Sequence, residues 1–465
     1  MTEELDALKA NDVREIVVPP GNAHFLHNIW VYKTNTDANG DIERFKSRLV
    51  IRGNEQVFGV DYTLKFAAVM DLGTVKLIQV LSRRWKVPAR HGDVPNAYVK
   101  AEKKEHLDIY MKVSKGMTVK EKEMKDLNAK NPNDLALLLK KSLYGLKQAG
   151  QLWSKLLDFK LRQSGYQQCT TDMCLNFKYK GKTCTVVGVY VDDLLVTGPE
   201  QSAVDDFFKD MASLSIKDLW IVDKFLGLRI ELDNSNGYAL DQEPTIDLLL
   251  RDFGMESCNG VGTPIGDECN VEDDEDAEYL PARGAKGDPV RKTTRQTHKP
   301  TLKDWKTAKR ITRYLKMSKN LKLHLDGAGH VSEDVQVECW SEADFATSKA
   351  NRKSISGCVL TVDGAVVLWL CKKQSGVSPS TMEAEFISAS QAGRELLGMK
   401  ELMSELKLRV RAPMPMWIDN QAAIKQLKSE KSTSSASTWT YVTNLYAIPH
   451  RKGLWCQGLC DLRIC

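Results

Sequence analysis

The sequence predicts a mixed α and β fold that is divided into two to four domains. Its 465 residues are more than one hydrophobic core usually serves. Strand-like and helix-like patterns alternate from residue 1 to about residue 255 without a low-complexity break. A separate series of strand, hairpin, long helix, strand and helix patterns begins near Val335, which indicates a second compact α/β unit.

Composition and charge narrow the class of protein. Hydrophobic residues make up 42% and charged residues 27%, which is typical of a globular chain. A net charge of only +5 gives no overall signal for nucleic acid, so any such surface must be local. No signal peptide or bilayer-spanning apolar run is seen, so we expect an intracellular chain without a membrane partner. The eleven cysteines are odd in number and lack C-x-x-C pairs, which favours reduced thiols.

The predicted elements of the first half follow in order along the chain. Two strands are predicted at Ile29–Thr34 and Ser47–Gly53, around the turn TDANGD. Apolar residues at helical spacing predict helices at Thr74–Trp85, Gln148–Ser164 and Val204–Leu214.

The segment between the two halves is highly charged. The acidic run Val271–Glu278 predicts a solvated linker. The basic segment Arg291–Lys322 follows, and within it Trp305–Leu315 reads as an amphipathic helix. Basic residues interleaved with Trp305 and Tyr314 are expected of a surface that tracks phosphates. A solvated helix face with both aromatic residues in the core explains the pattern equally well.

The stretch VVGVYVDDLLVTG, at Val186–Gly198, contains two adjacent carboxylates. Two apolar runs flank Asp192 and Asp193, which predicts a β-hairpin with the two acids at its tip. An Asp-Asp pair suits a tight turn poorly, because such turns favour residues that accept positive φ. Adjacent carboxylates are tolerated when a divalent cation such as Mg²⁺ lies between them. The local pattern leaves an acidic turn and a metal site both open.

A third carboxylate extends the metal-site interpretation. Asp93 lies in RHGDVPNAYV, in a short segment that could end a strand. If that strand lies beside the hairpin, Asp93 shares metal ions with Asp192 and Asp193. A two-metal site of this kind activates a 3′-hydroxyl and stabilises the leaving pyrophosphate. Taken alone, Asp93 is better explained as a helix N-cap or a turn residue.

Six stretches, in this order, resemble the polymerase region of Ty1/copia-type retrotransposons. Together they cover nearly all of residues 1–265. They are RFKSRLVIRGNEQVFGVDYTLKFAAV, GDVPNAYVKAE, KSLYGLKQAGQLWSKLL, GVYVDDLLVTG, DKFLGLRIEL and YALDQEPTIDLLLRDFGM. YVDD alone is a weak signal, but SLYGLKQAG with YVDD and an upstream DV is specific.

The resemblance implies an α+β right-hand polymerase, with palm, fingers and a partial thumb in residues 1–255, followed by an α/β ribonuclease H-like domain. It implies an RNA-directed DNA polymerase that adds deoxynucleotides to a primer 3′ end. Asp93, Asp192 and Asp193 match the family's catalytic, metal-binding triad, with Mg²⁺ or Mn²⁺ as cofactor. The implied partners are an RNA or DNA template with its primer and deoxynucleoside triphosphates.

The resemblance also implies contacts with the nucleotide and the primer. Lys46 and Arg48 match a fingers strand that meets the triphosphate, although an exposed strand face explains them too. Four residues match the floor of the nucleotide pocket, with a plain strand-to-helix turn as the alternative: Tyr144, Gly145, Lys147 and Gln148. Three residues match the hairpin that grips the primer end, with a core strand as the alternative: Phe225, Leu226 and Gly227.

Residues 335–428 resemble the ribonuclease H-like domain of the same family. The matching stretches are CWSEADFATSKANRKSISGCVL, CKKQSGVSPSTMEAEFISAS and WIDNQAAIKQL. Glu385 and Asp419 match two of its acids. Glu342 stands where the family usually has Asp, and catalytic placement tolerates the extra methylene poorly. Asp344 lies nearby, but a structural turn or surface position explains it better.

Two regions depart from the family's pattern. Residues 256–334 read as a linker and connection from which a segment has been deleted, and residues 429–465 read as an aberrant tail without the family's fourth acid. We therefore expect a truncated polyprotein fragment whose ribonuclease H-like domain is impaired. A catalytically inactive remnant that at most binds nucleic acid is the alternative.

Overall fold

The computed structural model of the chain describes residues 1–265, except positions 64, 104–106, 115, 118, 120 and 234–236, and then residues 301–326, 332–348, 351–428 and 445–449. The chain divides into two compact units, Met1–Asp37 with Asp41–Val222, and Ala38–Gly40 with Asp223–Cys465. The mixed α and β architecture predicted from the sequence is confirmed.

The first unit contains helices and strands in alternation. Its helices are α1 (Thr2–Ala10), α2 (Leu72–Trp85), α3 (Ala97–Lys100), α4 (Glu121–Asp126), α5 (Ala149–Gln163) and α6 (Gln201–Asp210). Its strands are β1 (Arg14–Val17), β2 (Phe25–Leu26), β3 (Asn28–Thr36), β4 (Ile42–Ile51), β5 (Arg90–Asp93), β6 (Tyr110–Lys112), β7 (Ala136–Leu139), β8 (Gln167–Gln168), β9 (Leu175–Lys180), β10 (Thr183–Tyr190), β11 (Asp193–Thr197) and β12 (Lys217–Ile221).

An antiparallel sheet with strand order β12-β5-β11-β10-β9-β8 forms the centre of the first unit. Val187 of β10 packs with Trp153 of α5 and Phe207 of α6. Gly188 faces the other side, where an added Cβ would lie 2.3 Å from Ile78 Cδ1 of α2. Because consecutive strand residues face opposite sides, helices cover both faces of this sheet.

A second sheet of the first unit has strand order β1-β7-β6-β2, and β3 and β4 form a separate two-stranded ribbon. One end of the ribbon is anchored in a core, where Leu49 and Ile51 of β4 pack with Leu8 of α1 and Leu137 of β7. Burying each such side chain contributes about 1.5–3 kcal/mol. The other end is open to solvent, since Phe45 is 75% exposed.

The second unit has two sheets in its described residues. Its strands are β13 (Lys224–Phe225), β14 (Leu228–Leu232), β15 (Tyr238–Asp241), β16 (Leu323–His324), β17 (Val337–Asp344), β18 (Ile355–Val362), β19 (Ala365–Lys373), β20 (Met414–Ile418) and β21 (Leu445–Pro449). Its helices are α7 (Glu243–Asp252), α8 (Leu302–Ser318), α9 (Thr381–Glu405) and α10 (Gln421–Lys428). The strand orders are β13-β14-β15-β16 and β19-β18-β17-β20-β21, and α9 packs against β17 and β18.

Most predicted elements are confirmed, with ends shifted by a few residues. These are the strands β3 and β4, the hairpin β10–β11 and the helices α2, α5, α6 and α8. Residues 429–465 read as an aberrant tail, and this interpretation is wrong for Leu445–Pro449, which pairs with β20 as a parallel strand. Five residues within irregular sequence give too short a periodic signal. The acidic run at 271–278 lies outside the described residues.

The basic segment is described from residue 301 onward, and several of its cations bind groups of their own chain. Arg313 Nε donates to the carbonyl oxygen of Asn259 at 2.6 Å. Lys316 Nζ donates to the carbonyl oxygen of Cys258, also at 2.6 Å, and Tyr314 is buried. These contacts support the structural explanation of the segment over a phosphate-tracking surface, although Trp305 is half-buried and lies under Lys309 Nζ, 4.6 Å from its ring centre, instead of in the core. No helix in the described part of the chain has the length and apolar character needed to cross a membrane.

A buried lysine in α2 gives a test of the packing. Lys76 is 4% exposed, and burial lowers its pKa from 10.5 to about 8. Its charge therefore costs stability at all pH values below about 8, and this cost fades as the pH rises toward 10.5. We expect Lys76→Met to raise the free energy of unfolding at pH 7 by about 1–3 kcal/mol. Urea denaturation at pH 7 and pH 10 measures this, and a gain that does not shrink at pH 10 would contradict it.

Candidate active site

Three aspartates meet at one end of the six-stranded sheet. Asp93 is the last residue of β5 and Asp193 the first residue of β11, and the two are directly paired across the antiparallel strands. Asp192 lies in the loop before β11, and its carbonyl oxygen accepts a hydrogen bond from the backbone N–H of Val94 at 2.8 Å. Strand register thus brings together the three acids singled out in the sequence.

The predicted position of the turn is wrong by one residue. Tyr190 pairs with Asp193, so the loop consists of Val191 and Asp192, and Asp193 belongs to the strand. Val191 has φ of 56°, a conformation that β-branched residues rarely adopt. The strain, roughly 1–3 kcal/mol, falls on Val191 and not on the Asp-Asp pair.

A hydrogen bond from α5 holds this strained loop. Nε1 of Trp153 donates to the carbonyl oxygen of Val191 at 2.6 Å, and the Trp153 side chain is buried. We expect Trp153→Phe to lower the free energy of unfolding by about 1–3 kcal/mol, because the carbonyl loses its donor. Urea denaturation measures the change. Trp220→Phe, at a position that is 71% exposed, is the matched control and should change it by less than about 0.5 kcal/mol. Equal effects of the two substitutions would contradict this account.

The three carboxylates repel one another in a partly buried setting. Burial, and then the negative charge of Asp193, raises the pKa of Asp93. The same two causes raise the pKa of Asp192, while the nearby Arg48 lowers it in part. A cluster with raised pKa values is short of positive charge, and such clusters are typical of functional sites.

One face of the β3–β4 ribbon supplies cations to the aspartates. Lys46 and Arg48 alternate along β4 and so lie on the same face. Arg48 Nη2 is 3.9 Å from Asp192 Oδ2, and the Arg48 guanidinium stacks 4.5 Å from the ring centre of Tyr144. Burial lowers the pKa of Lys46, and the charge of Arg48 adds to this effect. The structure therefore brings Lys46, Arg48 and Tyr144 to the aspartates.

The other predicted pocket residues serve the packing of the first unit. The φ of Gly145 is 91°, and a Cβ there would lie 2.0 Å from the carbonyl oxygen of Ile51. Gln148 is 4% exposed, and its Nε2 donates to the carbonyl oxygen of Asp61 at 3.0 Å. The backbone N–H of Lys147 donates to Gln56 Oε1 at 2.7 Å. Gly145 is therefore needed for the segment after Tyr144 to approach β4 closely.

Two residues beside the aspartates were missed in the sequence. His91 Nε2 is 2.9 Å from Asp193 Oδ1. Lys217 of β12 pairs with Asp93 from the side opposite Asp193. The alternation of His91 and Asp93 along one strand was an available signal for the first. The position of Lys217 beside Asp93 depends on the order of strands in the sheet, which the sequence pattern does not give.

The predicted primer-contact residues lie in the second unit. Phe225 ends β13 and is 2% exposed. Leu226 and Gly227 form a two-residue hairpin loop with φ of 52° and 80°, as a tight hairpin requires. The buried Phe225 supports the core-strand alternative for that residue, while the loop itself is placed at the hairpin tip.

A second group of acids lies in the five-stranded sheet. β17 and β20 are parallel neighbours with Ser341 opposite Ile418, so Glu342 and Asp419 follow at the same end. Ser388 of α9 lies one helical turn after Glu385, and its Oγ donates to the carbonyl oxygen of Glu342 at 2.7 Å. Oδ1 of Asp419 is buried and accepts no hydrogen bond from any described residue. Asp344, like Glu342, is exposed on β17.

The carboxylate oxygens of Asp93, Asp192 and Asp193 suit a hard divalent cation. Carboxylate oxygens are the preferred ligands of Mg²⁺ and also suit Mn²⁺. In the residues that the structure describes, no three His, Cys, Asp or Glu side chains already converge as metal ligands. Since His91 already holds Asp193, ligation by all three aspartates would require rotation of the Asp93 and Asp192 side chains, for which their partial exposure leaves room.

A comparison with known protein families shows the class of protein to which this chain belongs. The sequence profile described as reverse transcriptase (RNA-dependent DNA polymerase) matches residues 11–267, which is more than half of the chain. The chain therefore belongs to the reverse transcriptase family.

Three of the relatives are polyproteins of transposons. The retrovirus-related Pol polyprotein from transposon TNT 1-94 of Nicotiana tabacum is 28% identical over 92% of this chain and 33% of its own length. That from transposon RE1 of Arabidopsis thaliana is 27% identical over 91% of this chain and 29% of its own length. These matches confirm the Ty1/copia-type retrotransposon resemblance. The chain spans about a third of the length of these relatives.

Proposed function

We propose that this chain is an RNA-directed DNA polymerase that adds deoxynucleotides to a primer 3′ end by two-metal catalysis. The observation that carries the proposal is the direct pairing of Asp93 with Asp193 beside the loop that holds Asp192. Three carboxylates at one end of a sheet, faced by Lys46 and Arg48, suit a reaction between a triphosphate and divalent cations. The cofactor would be Mg²⁺ or Mn²⁺.

Each group of the site has a role in this proposal. Asp93, Asp192 and Asp193 would hold the cations, which when bound activate the 3′-hydroxyl and stabilise the leaving pyrophosphate. Arg48, whose planar fork is oriented by the ring of Tyr144, would bind phosphate oxygens of the incoming deoxynucleoside triphosphate. Lys46 would neutralise the same oxygens as a point charge.

The remaining pocket residues would act through the backbone they support. Gly145 allows the segment after Tyr144 to lie against Ile51 of β4, the strand that carries Arg48. Lys147 and Gln148 both bind the buried Gln56, which ties the same segment to the loop after β4. They would seat the nucleotide by fixing Tyr144 and Arg48.

The proposal extends to the organisation of the chain. Residues 1–255 would form the palm, fingers and partial thumb, with the six-stranded sheet as palm and the β3–β4 ribbon in the fingers. Leu226 and Gly227 in the hairpin loop would contact the primer of an RNA or DNA template, and the buried Phe225 would support this loop from the core. Residues 256–334 would be the shortened connection, and residues 335–428 an incomplete ribonuclease H-like domain to which the strand Leu445–Pro449 adds. The rest of residues 429–465 would be a tail.

We expect cleavage of RNA in an RNA–DNA hybrid to be weak or absent. The second group of acids has Glu342 in place of an aspartate, and a shift of about 1 Å in a catalytic group costs roughly 10²-fold in rate. Incubation of the purified chain with a labelled hybrid and Mg²⁺ measures this. Robust RNA degradation by the chain that Asp419→Asn removes would contradict the expectation, since a contaminating nuclease would ignore that substitution.

The polymerase proposal is tested by supplying the purified chain with a DNA primer on an RNA template, deoxynucleoside triphosphates and Mg²⁺, then Mn²⁺. We expect the primer to lengthen. Binding of the primed template that weakens steeply with salt, without any lengthening, would instead favour an inactive remnant that binds nucleic acid.

A further inference from the structure

His91 of β5 contacts the aspartate cluster but has no role in the function proposed above. Its Nε2 is 2.9 Å from Asp193 Oδ1, and its side chain is 14% exposed. A carboxylate oxygen of an ionised aspartate only accepts hydrogen bonds, so Nε2 carries the proton and donates. The contact is therefore a directed hydrogen bond in a largely buried position.

Strand register holds this contact in place. His91 and Asp93 are two residues apart on β5 and lie on the same face of the sheet. Asp93 pairs with Asp193 and His91 with Leu195, so His91 is the diagonal neighbour of Asp193. Both side chains project from paired strands, whereas Asp192 projects from a loop. The geometry of the hydrogen bond thus follows from the sheet itself.

The hydrogen bond occupies one oxygen of Asp193 and limits rotation of its carboxylate. We propose that His91 is a positioning residue that orients Asp193 so that its second oxygen serves the bound divalent cation. This inference rests on the proposed function, because it assigns Asp193 to the metal. Groups that orient metal ligands typically change metal affinity by about 10–100-fold when they are removed.

Binding of Mn²⁺ alone to the full chain tests the inference without any catalytic step. The electron paramagnetic resonance signal of free Mn²⁺ gives the affinity in the absence of primer, template and nucleotide. We expect His91→Leu and His91→Asn to weaken Mn²⁺ binding by about 10–100-fold. The amide of glutamine reaches about as far as Nε2 of histidine, so His91→Gln should stay within about 3-fold of the unmodified chain.

Two further variants serve as controls. His27→Leu removes another histidine–carboxylate contact of the first unit, between Nδ1 and Glu55 Oε2 at 3.0 Å, and should leave Mn²⁺ binding unchanged. Asp192→Asn should remove the site. If His91→Leu does not fold, the pair His91→Asn and His91→Gln provides the same comparison, because asparagine is too short to reach Asp193.

The outcomes separate this inference from the proposed function. Mn²⁺ binding that Asp192→Asn removes but His91→Leu and His91→Asn leave intact would overturn the role of His91 alone. Equal weakening by the leucine and glutamine variants would also overturn it, since the donor would then be irrelevant. The absence of any Asp192-dependent Mn²⁺ binding to the unmodified chain would overturn the proposed function and this inference together.

Discussion

Asp192→Asn should reduce deoxynucleotide addition by roughly 10²–10³-fold or more, which is the usual cost of removing one group that stabilises developing charge. The amide keeps the shape of the carboxylate but brings no negative charge to a divalent cation. Primer extension on a primed RNA template, with product quantified against time, measures the loss. Extension at the rate of the unmodified chain would contradict the assignment of Asp192.

The same variant should not be less stable. Burial, and then the charge of Asp193, raises the pKa of Asp192, so the folded chain holds this proton to a higher pH than the unfolded chain does. Ionisation at neutral pH therefore costs stability, and an asparagine avoids this cost. Asp192→Asn should unfold at an equal or higher urea concentration at pH 7, and the difference should shrink in acid. Asp158→Asn, which removes an exposed ion pair with Arg162, is the control for this variant. It should change neither the rate of primer extension nor the urea concentration of unfolding.

Gly145→Ala should cause the largest loss of stability among these variants. The φ of 91° is unfavourable for alanine, at a cost of about 1–2 kcal/mol. The added Cβ would also lie 2.0 Å from the carbonyl oxygen of Ile51 and 2.7 Å from Val50 Cγ1. Overpacking of this kind costs about 1–3 kcal/mol. We expect the free energy of unfolding, from urea denaturation, to fall by about 2–5 kcal/mol.

A second glycine separates the two causes of this loss. Gly59 has φ of 84°, but nothing lies within 4 Å of an added Cβ. Gly59→Ala should therefore carry only the conformational cost of about 1–2 kcal/mol. Equal losses at Gly59 and Gly145 would show that contact with β4 is not what requires a glycine at position 145.

The hairpin β10–β11 and helix α5 could be predicted because their residues repeat at the spacing of their own element. The exact position of the turn could not be predicted. Two apolar runs around two acids suggest that the acids form the turn, yet pairing of Tyr190 with Asp193 moves the turn back to Val191. The strain at Val191 is compensated by a hydrogen bond from Trp153, 38 positions earlier in the chain. No local pattern contains that contact.

The residues around the aspartates likewise depend on contacts between segments that are distant in the sequence. Asp93, Asp192 and Asp193 were found through the order of motifs, and their proximity then follows from register. His91 and Lys217 surround the same acids, but their roles depend on which strands are neighbours. Periodicity gives the face on which a residue lies and says nothing of the strand beside it. Sheet order, and with it part of the site's surroundings, therefore needs the structure.

The most direct test of the central claim is the addition of one deoxynucleotide to a primer on an RNA template, compared between the unmodified chain and Asp192→Asn at saturating Mg²⁺. We predict addition by the unmodified chain and none above background by the variant, with both proteins folded. Equal addition by both, or none by a folded unmodified chain, would contradict the claim that these three aspartates form a working polymerase site.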